Sequence, residues 1–167
     1  MRDTRILALI PAWNEGPRLG PVVEATSGYL PVLVVDDGSQ DHTVSVAERA
    51  GAAVVSHRRN RGKGVALMTG FDWALGHDYD GVLTLDADGQ HDPGDIPTFL
   101  SAYETGGWDL IIGKRTFRQM PFPRGYTNPF GSWPLSLVLK ERIFANQSGF
   151  RLHGRRLLQT LDLTTTG

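Results

Sequence analysis

The chain has 167 residues, of which 40% are hydrophobic and 21% are charged, and its formal net charge is −1. This length predicts one domain that buries a substantial core. The absence of cysteine excludes disulfide bonds, thiolate metal sites and cysteine nucleophiles. No apolar run approaches the roughly 20 residues that span a bilayer, and no signal-peptide core follows the N-terminus, so we expect a cytoplasmic protein.

Strand-like apolar runs alternate with helix-like amphipathic stretches over the first 113 residues. The patterns predict strands at 6–10, 32–35, 53–56, 82–85 and 110–112. They predict helices at 19–26, 43–50, 65–75 and 96–103, with Asp41 as a cap for the second. This alternation is typical of an α/β fold in which a mostly parallel sheet carries helices on both faces.

The periodic pattern breaks after Gly113. Residues 114–134 contain four prolines and four basic residues, which predicts a long loop. A short helix at 136–143, a strand at 150–153 and a helix at 155–161 are predicted to follow.

The charged residues divide unevenly along the chain. Residues 1–110 contain 8 Lys and Arg against 16 Asp and Glu, whereas residues 111–167 contain 9 against 2. This asymmetry indicates that the first part faces cations and the second an anionic surface or a phosphate group. A basic face exposed only to solvent is the alternative.

Polar segments follow three of the predicted strands at their carboxyl ends. The first strand leads into PAWNE at 11–15, the second into DDGS at 36–39 and the fourth into DADGQH at 86–91. Open parallel sheets bind ligands at this edge, so these segments form the candidate site. Their five carboxylates would repel one another unless a cation or the donors of a ligand compensated them.

Asp86 and Asp88 form an Asp-x-Asp pair after a buried strand. Two positions apart on an extended chain, both carboxylates can face one metal ion, with the Gln90 carbonyl as a third oxygen. Oxygen ligands of this kind suit Mg²⁺ or Mn²⁺, which commonly take substrate phosphates as further ligands. A simple turn is the alternative. An EF-hand loop is excluded because His91 and Pro97 occupy its glycine and final acidic positions.

A phosphatase of the haloacid dehalogenase type also carries an Asp-x-Asp pair after an apolar strand. That motif normally lies on the first strand and continues to Thr or Val where Gly89 stands. The hypothesis in which Asp86 attacks a phosphate therefore stays as a rival.

The order of four motifs, PAWNE, VVDDGS at 34–39, NRGKG at 60–64 and DADGQH, resembles glycosyltransferase family 2. The later GKR at 113–115 and QSGFR at 147–151 resemble the branch that transfers hexoses to polyprenyl phosphates, such as dolichyl-phosphate mannose synthase. The resemblance implies a GT-A fold and a single catalytic domain over 1–167. Within it, 1–113 would bind the nucleotide-sugar and 114–167, which looks truncated beside family members, would form the acceptor side.

The resemblance also implies roles for individual residues. The nucleotide-sugar would contact Pro11, Ala12, Trp13, Glu15, Val34, Asp36, Lys63, Asp86, Ala87 and Asp88, with Trp13 against the base or ribose and Asp36 accepting from the base. The metal, Mg²⁺ or Mn²⁺, would be held by Asp86, Asp88 and Gln90. The acceptor phosphate would meet Arg115, Ser148 and Arg151. The catalytic residues would be Asp88, Lys63 and Arg115.

The implied reaction is a metal-dependent, inverting transfer of a hexose from UDP-hexose or GDP-hexose to a polyprenyl phosphate. Beyond residue 110 the only acidic residues are Glu141 and Asp162. This scarcity of candidate bases favours a phosphate acceptor, whose oxygen is already anionic, over a sugar hydroxyl. The basic C-terminal part predicts peripheral contact with a membrane, and nothing predicts nucleic-acid binding. The alternatives are a saccharide acceptor and a truncated donor-binding module without turnover.

Overall fold

The computed structural model describes residues 4–113 and 149–161. The strands are β1 (Ile6–Ala12), β2 (Val32–Asp36), β3 (Ala53–Ser56), β4 (Gly81–Thr84), β5 (Leu110–Ile112) and β6 (Arg151–Gly154). The helices are α1 (Gly16–Ser27), α2 (Thr43–Arg49), α3 (Lys63–Gly76), α4 (Ile96–Gly106) and α5 (Arg155–Thr160), with a 3₁₀ turn at Pro93–Asp95.

All six strands belong to one sheet, in the order β3-β2-β1-β4-β6-β5. The β1–β2, β1–β4 and β2–β3 pairs are parallel, whereas β6 runs antiparallel to β4. The predicted mostly parallel α/β sheet is confirmed. The sequence pattern did not indicate that the last strand would lie between β4 and β5.

The residues of β1 alternate between two apolar cores. Ile6, Ala8 and Ile10 pack with residues of α1 and α4, while Leu7 and Leu9 pack on the other face with residues of α3. This follows from the two-residue period of a strand, and it shows that helices cover both faces of the sheet as predicted. On the α3 side the packing is close, because a Cβ at Gly70 would lie 2.3 Å from Leu9.

Strand β1 extends through Pro11, where the sequence predicts its end. Ala8 donates its N–H to Pro31 on the β2 side. Because successive N–H groups of a strand face opposite neighbours, the nitrogen of Pro11 faces β4. Strand β4 ends at Thr84, opposite Leu9, so Pro11, which has no N–H, lies beyond the paired part of β4. The extra residues carry β1 to the edge where the candidate site lies.

Three helices are longer than predicted. Helix α1 begins at Gly16, and Pro17 in its first turn suits a helix start. Helix α3 begins at Lys63 instead of residue 65, directly after Gly62. Helix α4 continues to Gly106 and ends at the left-handed Gly107.

The loop predicted at 114–134 and the helix predicted at 136–143 lie outside the described residues. Residues 4–111 and 149–161 belong to one compact unit. The division of function between 1–113 and 114–167 stays a prediction. Among the described helices, none combines the length and the hydropathy needed to cross a membrane.

His153, in the middle of β6, is a partly buried histidine outside the candidate site. Its Nδ1 has no hydrogen-bond partner among the described residues, and its ring packs against Phe71 at 5.1 Å. Burial, with a smaller contribution from Arg151, lowers the pKa of His153 to about 4. The folded protein therefore holds this imidazole neutral.

We expect the free energy of unfolding to fall as the pH falls from about 6.5 to about 4, because the unfolded chain protonates His153 first. The loss attributable to this residue is at most roughly 3 kcal/mol. Urea unfolding at several pH values measures it. Replacing His153 with leucine should flatten the pH dependence, whereas replacing the exposed His42 with leucine should not. An unchanged slope in the His153→Leu variant would contradict the prediction.

Candidate functional site

The carboxyl ends of β1, β2 and β4 lie side by side at one edge of the sheet. Ala12 is in register with Asp36, and the backbone N–H of Asp37 donates to the Ala12 carbonyl at 2.8 Å. The chain builds outward from β1 to β2 and β3 and then returns to place β4 on the other side of β1. Such a reversal of strand order opens a crevice that binds ligands in open α/β sheets.

One cavity of about 360 Å³ occupies this crevice. It brings together eight of the ten residues predicted to contact the nucleotide-sugar. Its lining residues are Pro11, Ala12, Trp13, Glu15, Asp37, Asn60, Lys63, Ala66, Asp86, Ala87 and Asp88. Trp13 is 53% exposed, an unusual position for so large an apolar ring and one that leaves its face open to a ligand.

Asp86 is the most strongly perturbed carboxylate of the cavity. One of its oxygens accepts from the Lys63 ammonium, and the other lies 3.2 Å from Nε2 of His91, whose side chain is buried. The hydrogen bond from His91, together with Lys63, outweighs burial and holds the pKa of Asp86 well below its usual range. Asp86 is therefore ionised at neutral pH.

Asp88 lines the same cavity as Asp86. Its carboxylate accepts from the backbone N–H of Gln90 at 3.0 Å, which fixes the turn after the motif. The side chain of Gln90 is exposed and does not line the cavity. Among the described residues, no three His, Asp or Glu side chains converge into a ready metal cage. Any cation here would need further oxygens from a ligand or from water.

Gly149 packs directly against Asp86. A Cβ at this position would lie 2.3 Å from Asp86 Oδ2 and 2.5 Å from Oδ1. The Gly149 carbonyl accepts from the Thr84 hydroxyl at 2.8 Å, which holds the glycine beside the end of β4. The adjoining Phe150 is buried between Phe99 and His91. The described part of the QSGFR segment is thus built against the Asp-x-Asp segment.

A second cavity, of about 510 Å³, shares Trp13 and Asn60 with the first. Its lining residues are Trp13, Asn14, Asp36, Gly38, Ser39, Gln40, Val44, Ser56, His57, Arg58, Arg59 and Asn60. The loops after β1 and β2 are joined by hydrogen bonds from Asn14 N to Ser39 Oγ and from Gln40 N to Asn14 Oδ1. The two loops that line the second cavity are therefore held together by side-chain hydrogen bonds.

The remaining predicted site residues lie in different places. Asp36 lines the second cavity, where its carboxylate accepts from the Ser39 N–H at 3.2 Å. Val34 is fully buried in the core and lines neither cavity. Arg151 begins β6 in register with Thr84, two residues before Asp86. Arg115 and Ser148 lie outside the described residues.

The predicted site omitted Asn60, which lines both cavities, and Asp37 and Gly149. A usable sequence signal existed for Asn60, because it opens the NRGKG motif. Gly149 stands in the QSGFR motif, but no local signal marks its contact with Asp86, which is 63 positions away in the chain.

Residues 8–160 match the model of glycosyl transferase family 2, and the chain belongs to this family. It is 33% identical to the polyprenol monophosphomannose synthase of Mycolicibacterium smegmatis, over 96% of the chain and 65% of that protein. It is also 33% identical to the undecaprenyl-phosphate mannosyltransferase of Micrococcus luteus, over 95% of the chain and 70% of that protein. The predicted resemblance to this family is confirmed.

The fold is similar to that of solved GT-A glycosyltransferases, so the predicted GT-A fold is confirmed. Glucosyl-3-phosphoglycerate synthase from Mycobacterium tuberculosis, crystallised with Mn²⁺ and UDP-glucose, superposes with a TM-score of 0.78 at 25% sequence identity. The match covers 95% of this chain and 59% of that one. The chain thus spans about three fifths of that neighbour and 65% of the first curated relative.

Proposed function

We propose that this chain carries the donor site and catalytic centre of a metal-dependent, inverting glycosyltransferase that moves a hexose from a nucleotide-sugar to a polyprenyl phosphate. The observation that carries the proposal is the cavity at the carboxyl ends of β1 and β4, which Asp86, Asp88 and Lys63 line together with the exposed Trp13. Relatives named for transfer to polyprenyl and undecaprenyl phosphate match nearly the whole chain.

The two cavities suit the two halves of a nucleotide-sugar. The second cavity would take the base, with Asp36 accepting from it and Trp13 stacking on the base or ribose. The first would take the diphosphate and the hexose, because Lys63 at the start of α3 adds an ammonium to the donors of a helix N-terminus. UDP-hexose and GDP-hexose both meet these requirements.

Asp86 and Asp88 fit a divalent cation by the chemistry of their donor atoms. Two carboxylates at the end of one strand offer hard oxygen ligands, and diphosphate oxygens would complete the shell of Mg²⁺ or Mn²⁺. The structural neighbour binds Mn²⁺ together with UDP-glucose, which supports a divalent metal in this fold. When bound, the cation would neutralise charge on the leaving diphosphate as a Lewis acid. Gln90 belongs to the proposed ligand set through its carbonyl.

The reaction breaks the bond between the anomeric carbon and the nucleoside diphosphate, and the electron pair leaves with the diphosphate. An acceptor phosphate oxygen forms the new bond from the opposite face, which inverts the anomeric centre. Lys63 would stabilise the charge that develops on the departing phosphate. No proton has to be removed from a phosphate monoester oxygen, so this step needs no general base.

The acceptor phosphate would be bound by Arg115, Ser148 and Arg151. A planar guanidinium group can donate two parallel hydrogen bonds to the oxygens of one phosphate group. Arg151 is the first residue of β6 and lies beside the end of β4. The basic excess of residues 111–167 would also favour peripheral contact with an anionic membrane surface on the cytoplasmic side.

The direct test incubates the protein with Mn²⁺, a short-chain polyprenyl phosphate and radiolabelled UDP-hexoses or GDP-mannose. We expect one class of donor to transfer its label into the organic phase and chelation of the metal to abolish the transfer. Label on a soluble saccharide would instead favour the alternative acceptor, and donor binding without transfer would favour a binding module. Phosphate release without affinity for any nucleotide-sugar would favour the phosphatase.

A further inference from the structure

An acid–histidine pair with buried side chains joins the two cavities, since Asp37 lines the first and His57 lines the second. Asp37 follows β2 and His57 follows β3, and Nδ1 of His57 lies 2.6 Å from the Asp37 carboxylate. The exposed fractions of the two side chains are only 4% and 7%, respectively. Burial raises the pKa of Asp37, but hydrogen bonds from His57, Arg61 and Gly62 outweigh it and hold that pKa below its usual range. The ionised carboxylate only accepts, so Nδ1 of His57 donates to it.

The same carboxylate holds the backbone that leads into α3. Asp37 accepts from the N–H groups of Arg61 at 3.0 Å and of Gly62 at 2.7 Å. Gly62 has a φ of +93° and immediately precedes Lys63, the first residue of the helix. The direction in which Lys63 leaves the loop therefore depends on where the Asp37 carboxylate lies.

The loop that precedes α3 also packs closely against the segment that follows β2 and contains Asp37. Gly38 has a φ of +76°, and a Cβ there would lie 2.5 Å from the carbonyl carbon of Arg59 and 2.8 Å from the nitrogen of Asn60. The second ring nitrogen of His57 contacts helix α3, because Nε2 lies 2.9 Å from the hydroxyl of Thr69. His57 thus joins three elements: the end of β2, the end of β3 and α3.

We propose that His57 is a positioning residue, which holds Asp37 in the orientation that places Asn60 and Lys63 in the donor cavity. The inference rests on the proposed function, because Lys63 acts there on the diphosphate. Asn60 lines both cavities, and Lys63 contacts Asp86 across the first. Loss of the His57 hydrogen bond would leave the Asp37 carboxylate held only by the N–H groups of Arg61 and Gly62, so the carboxylate and the loop with Lys63 would shift together.

Replacing a histidine that only stabilises the fold would also lower the melting temperature. The test of a positioning role therefore needs other measurements. His57→Leu removes both hydrogen bonds, whereas His57→Asn keeps a side-chain N–H near the place of Nδ1. His77→Leu is the matched control, because His77 is exposed and lies at the opposite end of α3. Each variant is assayed for kcat and donor KM, and amide hydrogen exchange is followed at Arg61 and Gly62 in the ligand-free protein.

We expect His57→Leu to speed exchange at Arg61 and Gly62 and to lower kcat roughly 10- to 100-fold, with a smaller change in donor KM. His57→Asn should recover most of both effects, and His77→Leu should show neither. A lower melting temperature with unchanged kcat would overturn the proposal, and so would unchanged exchange in His57→Leu.

The exchange measurement separates this inference from the proposed function. If the wild-type protein transfers no sugar from any donor, the proposed function fails, but exchange at Arg61 and Gly62 still reports whether His57 holds the loop. Slow exchange that survives His57→Leu in an active protein contradicts the positioning role alone.

Discussion

The Asp88→Ala variant is expected to lose metal-dependent binding of the nucleotide-sugar while it keeps its fold. Asp88 lies beyond the end of β4 and lines the donor cavity, so its removal takes one carboxylate from the proposed cation site without opening the core. Lewis-acid stabilisation contributes several kcal/mol to a leaving diphosphate, so turnover should fall by roughly 10²-fold or more. Calorimetric titration with nucleotide-sugar, with Mn²⁺ and with chelator, measures the loss of binding.

Two control variants distinguish the effect of the Asp88 charge from the effect of the turn that its carboxylate stabilises. Asp88→Asn retains an oxygen that can accept from the Gln90 N–H but removes the charge, so it should fail nearly as badly as alanine. Asp92 makes the same kind of turn, with its carboxylate accepting from Gly94 at 2.9 Å, but it does not line the cavity. Asp92→Asn should therefore bind donor normally. If Asp88→Ala bound the nucleotide-sugar with unchanged Mn²⁺ dependence, the metal assignment would be wrong.

A methyl group at Gly149 is expected to displace the Asp86 carboxylate and so to impair the same site. The Cβ of a Gly149→Ala variant would stand 2.3 Å from Asp86 Oδ2, well inside van der Waals contact. Asp86 is short and is held by Lys63 and His91, so it cannot turn away without losing one of these partners. A displacement of about 1 Å in a catalytic centre costs up to roughly 10²-fold in rate. We therefore expect a loss of donor turnover with little change in secondary structure.

Gly76→Ala is the matched control for this steric effect. A Cβ at Gly76, in the last turn of α3, meets nothing within 4 Å. That variant should keep full activity, whereas Gly149→Ala should weaken Mn²⁺-dependent donor binding. Normal donor binding and turnover in Gly149→Ala would contradict this prediction. The Asp86 carboxylate would then have adapted to the added methyl group, and the close approach of Gly149 to Asp86 would not be needed for activity.

Much of the site was predictable because its residues cluster in short motifs at strand ends. Asp86, Asp88, Lys63 and Trp13 stand in three of the four segments whose order resembles one family. Parallel strands bring their carboxyl ends to one edge, so residues that follow different strands become neighbours by topology alone. The structure places these side chains around one cavity.

Other functional contacts could not be derived from local patterns. The alternation of strands and helices, the two apolar faces of the sheet and the polar strand ends were readable from the sequence, since these depend on hydrophobic period and chain order. In contrast, only the folded chain shows that β6 enters the sheet antiparallel beside β4, which brings Gly149 against Asp86. It also shows that Asp37 turns toward His57 and the Gly62 backbone. These contacts depend on which distant segments pack together, and long-range packing leaves no periodic trace in the sequence.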